Sequence, residues 1–430
     1  MTEIEGLKGF YDRYPGEWAS WRYLIDTVEE TAREYGFQEI NAPAVERADL
    51  YRVKSGEEMM EQMFNFEDRG GREVSLVPEQ TPTRARMVQS RKDLGTPIKW
   101  FDTSKRWRYE DVQRGRDREF FQTDIDIIGV ESVYADAEIV ACAADIYRKL
   151  GVEDRVEFLV NDRGLLESIL GSLGVENTER VMRQVIDDKE KMTEEEFLDE
   201  LEAAGLDRPT ADRVAGITDI SGPILDTLEE LEDLAPEGAA DSVERMRELA
   251  EALESMDAAD MVRLDMSIVR GFAYYTGLVF EAFDTEGELR ALFGGGRYDT
   301  LIGMFGSEER AAVGFGFGYS PTIELLKEEG LTPLAEPGPD AYVLPVSEEV
   351  RSEALELANE LRSQGFSVET DLKGRNVGNQ LSYADSSGAK HALILGSDEL
   401  ENGTVSVKNM VSGDERQVDR EDIPDALSAE

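Results

Sequence analysis

Two strand-like runs constrain this chain more than any other feature: IKWFDTSKRWRYE at 98–110 and EFFQTDIDIIGVES at 119–132, joined by the charged segment DVQRGRDR. Side chains alternate between the two faces of a strand. Arg106, Arg108 and Glu110 therefore share one face of the first run, opposite Lys105, Trp107 and Tyr109. In the second, Gln122, Asp124 and Asp126 lie opposite Thr123, Ile125 and Ile127. The short connection most simply makes the pair an antiparallel hairpin. If the polar faces coincide, arginines and carboxylates form one floor; a solvated strand face is the alternative. The connection adds Arg114, Arg116 and Arg118. An arginine fork matches phosphate oxygens, so the cluster suits a polyphosphate or a nucleic-acid end.

That cationic stretch sits in a chain with 93 acidic and 46 basic residues, a formal net charge of −47. The acids crowd helical patterns such as MTEEEFLDELEAAGLD and are spread along the chain, which argues against an acidic tail. Such an excess keeps a surface hydrated in concentrated salt and repels itself in dilute buffer. A salt-rich, reducing cytoplasm is expected. At molar salt the screening length is about 3 Å, so local charge, not net charge, decides whether a polyanion binds. Cys142 is the only cysteine, so an intramolecular disulfide and a cysteine-rich metal site are excluded. His391 is the only histidine, and no His-based metal cluster or Ser-His-Asp triad can be built on it. No apolar run approaches the roughly 18 residues of a membrane helix, and the first residues lack the features of a signal peptide.

With 430 residues the chain is too long for one compact core. Residues 18–35 show helical spacing that stops at Gly36, and FQEINAPAV reads as an extended segment interrupted at Pro43. EVSLVPEQTPTRARMVQS reads as a strand, a turn holding Glu79 and Thr81, and a helix. Acidic amphipathic helices occupy 161–259, strand character resumes through MVRLDMSIVRGFAYYTGLVFEAFD, and EEGLTPLAEPGPD reads as a linker. Beyond it AYVLPV, FSVETDL, HALILG and GTVSVKNM alternate with helical patterns, making a small α/β module. The expected division is a core of 1–160 and 260–328, a helical insertion at 161–259, a linker at 329–339 and a module at 340–430.

Two further stretches resist an ordinary core reading. Arg270 interrupts an apolar strand and is followed by the pair Tyr274 and Tyr275. A buried tyrosine pair usually belongs to a core, but an arginine there is harder to place. FGGGRYD, at 293–299, allows close backbone approach to a ligand or a tight turn between strands.

Taken together these segments resemble the class II aminoacyl-tRNA synthetases, and within them the histidyl-tRNA synthetases. GFQEINAPAVE is similar to the first class motif, FDTSKRWRYEDVQRGRDREFFQTDIDIIG to the second, VRGFAYYTG and GGGRYD to the two histidine-specific signatures. GNQLSYADSSGAKHALILGSDELENGTVSVKNM resembles the anticodon-binding domain of the same enzymes. The fold class so implied is α/β (α+β): an antiparallel sheet core flanked by helices, a helical insertion, and a C-terminal mixed-sheet anticodon-binding domain.

The resemblance implies roles for matching residues. Arg108 would hold the ATP α-phosphate and the histidine carboxylate, and Arg270 would bridge the α-phosphate from the other side; these two would be catalytic. Glu110 and Arg116 would contact ATP and Phe120 would stack on adenine. Glu79, Thr81 and Gln122 would bind the α-amino group of L-histidine. Asp126 and Tyr275 would address the imidazole, with Tyr274 lining the pocket. ATP with Mg²⁺ and tRNA(His) are the implied cofactors and partner, a homodimer is the implied assembly, and no resident metal or membrane is expected. The chain departs from the family pattern at Val77 and Gln80, and at Ser320 and Pro321, where the third motif normally ends in glutamate and arginine.

A regulatory paralogue that binds histidine without catalysis is the main alternative, but such proteins lack a module like 340–430. A plain RNA-binding protein would not need the tyrosine pair and acidic floor. The resemblance and the acid excess together predict that tRNA charging persists at molar KCl. Loss of charging there, with circular dichroism showing an intact fold, would contradict this.

Overall fold

The runs at 98–110 and 119–132 pair as an antiparallel hairpin, with Asp102 opposite Asp124 and Arg106 opposite Phe120. In this computed structural model of the chain, the described residues are 5–52, 60–234, 237–269, 274–286, 291–332 and 338–428. Arg270 lies outside them, as does part of the expected linker. Two compact units are present, Met1–Leu334 and Ala335–Glu430.

Strands of the first unit are β1 (Gln38–Glu39), β2 (Val45–Arg47), β3 (Asn65–Glu67), β4 (Glu73–Leu76), β5 (Ile98–Trp107), β6 (Glu119–Ile128), β7 (Val156–Asp162), β8 (Ser221–Pro223), β9 (Val262–Asp265), β10 (Leu278–Asp284), β11 (Phe293–Arg297) and β12 (Ala312–Gly318). Among the described residues nine of them form one sheet in the order β1-β5-β6-β12-β11-β10-β7-β9-β8, and β2-β4-β3 form a small antiparallel one. Within the large sheet only β1 with β5 and β7 with β9 run parallel.

One face of this sheet is apolar because alternate residues are. Phe101, Ile125 and Ile127 join Trp21, Leu24 and Val28 of the helix Pro15–Glu34 and the alanine-rich helix Val133–Leu150 in one buried cluster. Each fully buried leucine or isoleucine there contributes about 1.5–3 kcal/mol. The second helix is bounded by Ser132, whose hydroxyl accepts from Tyr134 N, and by Gly151, which takes the left-handed conformation at φ 71°. The opposite face carries Asp102, Ser104 and Arg106 against Gln122, Asp124 and Asp126, so the polar faces do coincide.

Three local readings need correction. The strand expected through residue 270 ends at Asp265, whose carboxylate accepts from Ser267 N at 2.9 Å and closes a turn. Among the described residues the next strand begins at Leu278. Thr81 does not sit in the turn but opens the helix Thr81–Gln89. Of the two readings of FGGGR the tight turn fails: it is β11, held between β10 and β12, and its Gly294 lines the cavity described below. Helices run from Arg163 to Ser255, and inside that stretch β8 pairs with β9 at the sheet edge.

The second unit has β13 (Ala341–Pro345), β14 (Val368–Thr370), β15 (His391–Leu395), β16 (Thr404–Asn409) and β17 (Glu415–Asp419) in the order β14-β13-β15-β16-β17. Strands β14, β13 and β15 are parallel and the last two antiparallel, a mixed sheet. His391 is buried at the start of β15, its Nδ1 3.3 Å from Asp340 O.

Gly295 shows why glycine fills β11: an added Cβ would stand 2.3 Å from Gly314 O and 2.6 Å from Phe315 Cβ. Gly295→Ala is expected to lower unfolding free energy by about 1–3 kcal/mol, read as a drop in urea midpoint. An unchanged midpoint would refute the close packing.

Candidate active site

The polar face of β6 works only because its neighbour lacks side chains there. In register, Gly314 lies beside Asp126, Gly316 beside Asp124 and Gly318 beside Gln122. A Cβ on Gly314 would fall 2.0 Å from Asp126 Oδ1, and one on Gly316 2.3 Å from Gln122 Nε2. The alternation VGFGFG thus sends phenylalanines into the core and leaves a bare trough on the other side.

Beneath that trough lies a buried ionic cluster. Arg84, from the helix Thr81–Gln89, and Arg106, from β5, are each 1% exposed. Arg84 pairs with Asp102 and Asp126, and Arg106 Nη2 donates to Asp124 Oδ2 at 2.7 Å and Asp102 Oδ2 at 3.0 Å. Tyr298 donates its hydroxyl to Asp126, and Gln122 Nε2 donates to Asp124 Oδ1 at 2.8 Å. Burial pushes the Asp102 carboxyl up, yet the charges of Arg84 and Arg106 outweigh it and hold Asp102 below its ordinary value. Burial raises the Tyr298 hydroxyl, so it stays a donor. Asp126, held by Arg84 and Tyr298, is therefore an oriented acceptor and not a mobile surface acid.

A cavity of about 280 Å³ opens above this cluster. Its walls include Glu79, Thr81, Arg108, Glu110, Arg116, Phe120, Gln122, Asp126, Tyr274 and Tyr275, every described residue to which the resemblance gave a histidine or ATP role, whereas Arg114 and Arg118 do not line it. Tyr274 and Tyr275 pack at 4.7 Å between centroids, and Tyr274 meets Tyr298 edge-on at 6.1 Å. Gly296 lies under Tyr275, where an added Cβ would stand 2.8 Å from the ring. Asp126 and this aromatic group line one region of the cavity. Six residues along β6, roughly 20 Å away at strand rise, stands Phe120. Arg108 lies 5.3 Å from the Phe120 ring centroid, and its Nε donates to Pro78 O at 2.9 Å. Arg116 pairs with Glu110 at 3.0 Å. One cavity thus joins an acid-and-phenol pocket to a cationic, aromatic one.

Sequence reasoning missed Arg84, Asp102 and Tyr298, and it placed Arg106 on the polar floor without naming its partners. Asp102 and Arg106 carried a signal in their alternation with Ser104, and Tyr298 stood inside a quoted motif. Arg84 carried none: nothing local says that this helical arginine points under the sheet. Ser320 and Pro321 also line the cavity, Ser320 Oγ donating to Asp117 Oδ2 at 3.1 Å. Among the described residues no group of three or more His, Cys, Asp or Glu could hold a metal ion.

A family model for histidyl-tRNA synthetase matches residues 9–321, and one for an anticodon binding domain matches 340–430. The histidine–tRNA ligase of Natronomonas pharaonis is 44% identical over 96% of this chain and 95% of that protein. That of Pyrococcus furiosus is 37% identical over 98% of each. The crystal structure of histidyl-tRNA synthetase from Nostoc sp. PCC 7120 superposes with a TM-score of 0.87, at 25% identity, covering all of both chains. A Bacillus halodurans structure described as an ATP phosphoribosyltransferase regulatory subunit/histidyl-tRNA synthetase superposes at 0.76, again at 25% identity, over 92% of this chain and 98% of that one.

The ionic cluster makes a measurable demand. Because Asp102 is held low when folded, its stabilisation is complete above about pH 4 and lost as pH falls through the lowered value. Arg84→Met leaves buried carboxylates short of a partner, which costs about 3–5 kcal/mol. Acid unfolding followed by circular dichroism in KCl should then begin at higher pH. An unmoved acid midpoint would show that the cluster does not hold the floor together.

Proposed function

The chain belongs to the histidyl-tRNA synthetase family, and on that premise we propose that this cavity joins L-histidine to ATP and passes the histidyl group to tRNA(His). The chain is in this reading an aminoacyl-tRNA ligase. The observation that carries it is the single cavity holding both an imidazole-sized acid-and-phenol pocket and a cationic platform beside Phe120.

Each wall residue takes a role. Asp126, fixed by Arg84 and Tyr298, accepts one imidazole N–H, and Tyr275 addresses the other nitrogen beside Tyr274. Glu79, Thr81 and Gln122 receive the α-amino group. Phe120 stacks on adenine by one face, the other being turned toward Arg108. Glu110 and Arg116 contact ATP, their mutual ion pair orienting both. Arg108, pinned to Pro78 O, reaches the α-phosphate and the histidine carboxylate. Arg270, outside the described residues, is the second cation that the resemblance implies for that phosphate.

A histidine carboxylate oxygen attacks the α-phosphorus, and the bond to pyrophosphate breaks. The terminal ribose hydroxyl of the tRNA then attacks the acyl carbon, and AMP leaves, its phosphate taking the hydroxyl proton. Charge builds on phosphate oxygens in the first step, and oriented guanidinium groups stabilise it without reorganising. Buried, hydrogen-bonding pockets reject isosteres by roughly 10⁴–10⁵, so no editing site is required. A Mg²⁺ ion accompanying ATP as part of the substrate would offset the charge of its phosphates.

A homodimer in a salt-rich cytoplasm completes the proposal. The regulatory reading is less well supported, because an anticodon-binding match covers 340–430. Histidine-dependent ATP–pyrophosphate exchange in molar KCl tests the assignment. Arg108→Ala should lower exchange by roughly 10²-fold or more, with far-ultraviolet circular dichroism unchanged. Exchange at the normal rate in that variant would remove Arg108 from the mechanism.

A further inference from the structure

Arg297 ends β11 next to Tyr298, and each nitrogen of its guanidinium group has an acceptor. Nε donates to Asp136 Oδ1 at 2.9 Å, and Nη1 to Val130 O and Asp299 Oδ1, each at 3.0 Å. Nη2 donates to Ser132 O at 3.3 Å and stands 2.7 Å from Asp136 Oδ1. The group is 2% exposed, so it cannot shift without stranding buried donors.

Its main chain reaches the opposite way. Arg297 O accepts from Thr276 N at 2.8 Å, fixing the residue after Tyr275, whose ring covers Gly296. Tyr298 in turn holds Asp126. Both imidazole-facing side chains of the cavity therefore hang from neighbours of Arg297.

The second oxygen of Asp136 belongs to another element. Arg245, from the helix Ala240–Ser255, donates to Asp136 Oδ2 at 2.7 Å, and its side chain keeps 34% exposure. Asp136, 1% exposed, is thus shared between the helical segment and the strand that carries the cavity wall. Asp162 at the end of β7 also faces both arginines.

We propose that Arg245, Asp136 and Arg297 form a relay coupling the helix Ala240–Ser255 to the histidine pocket, with Arg245 as a positioning residue. When the pocket closes on its amino acid, Tyr275 and Asp126 take one arrangement. Arg297 then fixes Asp136, and Asp136 fixes the helix. Coupling is reciprocal, so whatever displaces that helix changes affinity for the amino acid. The helical segment becomes an effector surface for histidine binding and not merely an appendage. This inference rests on the ligase reading of the cavity.

The test uses the full chain in molar KCl, with L-histidine as probe and variants Arg245→Gln and Arg245→Lys. Asp136 keeps Arg297 in both, so the fold should hold. Calorimetric affinity for histidine and its KM in exchange should worsen about fivefold or more in the glutamine variant. The KM for ATP should be unmoved, and the lysine variant should recover most of the loss. Hydrogen exchange should show histidine protecting peptides from 240–255 in the unmodified chain but not in Arg245→Gln. If the unmodified chain binds no histidine, the ligase reading and the relay fall together. If it binds and exchanges normally, but Arg245→Gln leaves histidine affinity unchanged, the relay alone is overturned. Equal losses for ATP and histidine with a lowered melting temperature would likewise overturn it, as a plain structural role.

Discussion

Two buried guanidinium groups, Arg84 and Arg106, face the carboxylates of Asp102, Asp124 and Asp126, and the rest of the site depends on that neutralisation. Charges removed from water are costly unless paired and hydrogen-bonded on all sides. A cluster drawing on β5, β6 and the helix Thr81–Gln89 therefore admits few arrangements. Its gain is register and orientation more than stability. The hairpin cannot slip by one residue without turning every carboxylate into the apolar core. The helix that brings Arg84 also begins at Thr81, so pairing beneath the floor sets a wall of the cavity above it.

The same logic reconciles a cationic platform with a chain of net charge −47. The acidic excess is spread over helices whose outer faces meet solvent, as in Glu194–Ala203 and its exposed glutamates. At high ionic strength such charges act over only about 3 Å. Inside the cavity the partners are close, and Arg108 over Phe120 is partly shielded from salt. Net charge thus bears on hydration of the surface, and the cavity sets its own potential.

Glycine is the other device that shapes the site. Gly314, Gly316 and Gly318 occupy alternate positions of β12, so one face offers a trough while the other supplies Phe315 and Phe317 to the core. Strand glycines ordinarily weaken a sheet. Here β12 is clamped between β6 and β11, and aromatic packing behind it offsets the loss. Ser320 and Pro321, which depart from the family's third motif, follow directly and pack against the loop of Gly115 and Asp117.

Period-two alternation was enough to reveal the β5–β6 hairpin and its polar face, because strand geometry is local. The same holds for the α/β alternation after residue 338 and for the helical stretch before Ser255. Motif residues such as Glu79, Arg108, Phe120 and Tyr275 could be named from the chain alone, since each stands in a short, ordered pattern. What local pattern could not supply was pairing at long range. Strand β17 went unforeseen, its residues being mostly exposed and polar. The break after Asp265 hinges on one side-chain turn within an apolar run. Arg84 beneath Asp126, Tyr298 above it, and Arg297 joined to Arg245 through Asp136 bring together residues from separate parts of the chain. Alternation and composition report which face a side chain occupies. Only the packed sheet determines which partner meets it there, because burial makes an unpaired charge intolerable and so selects the match.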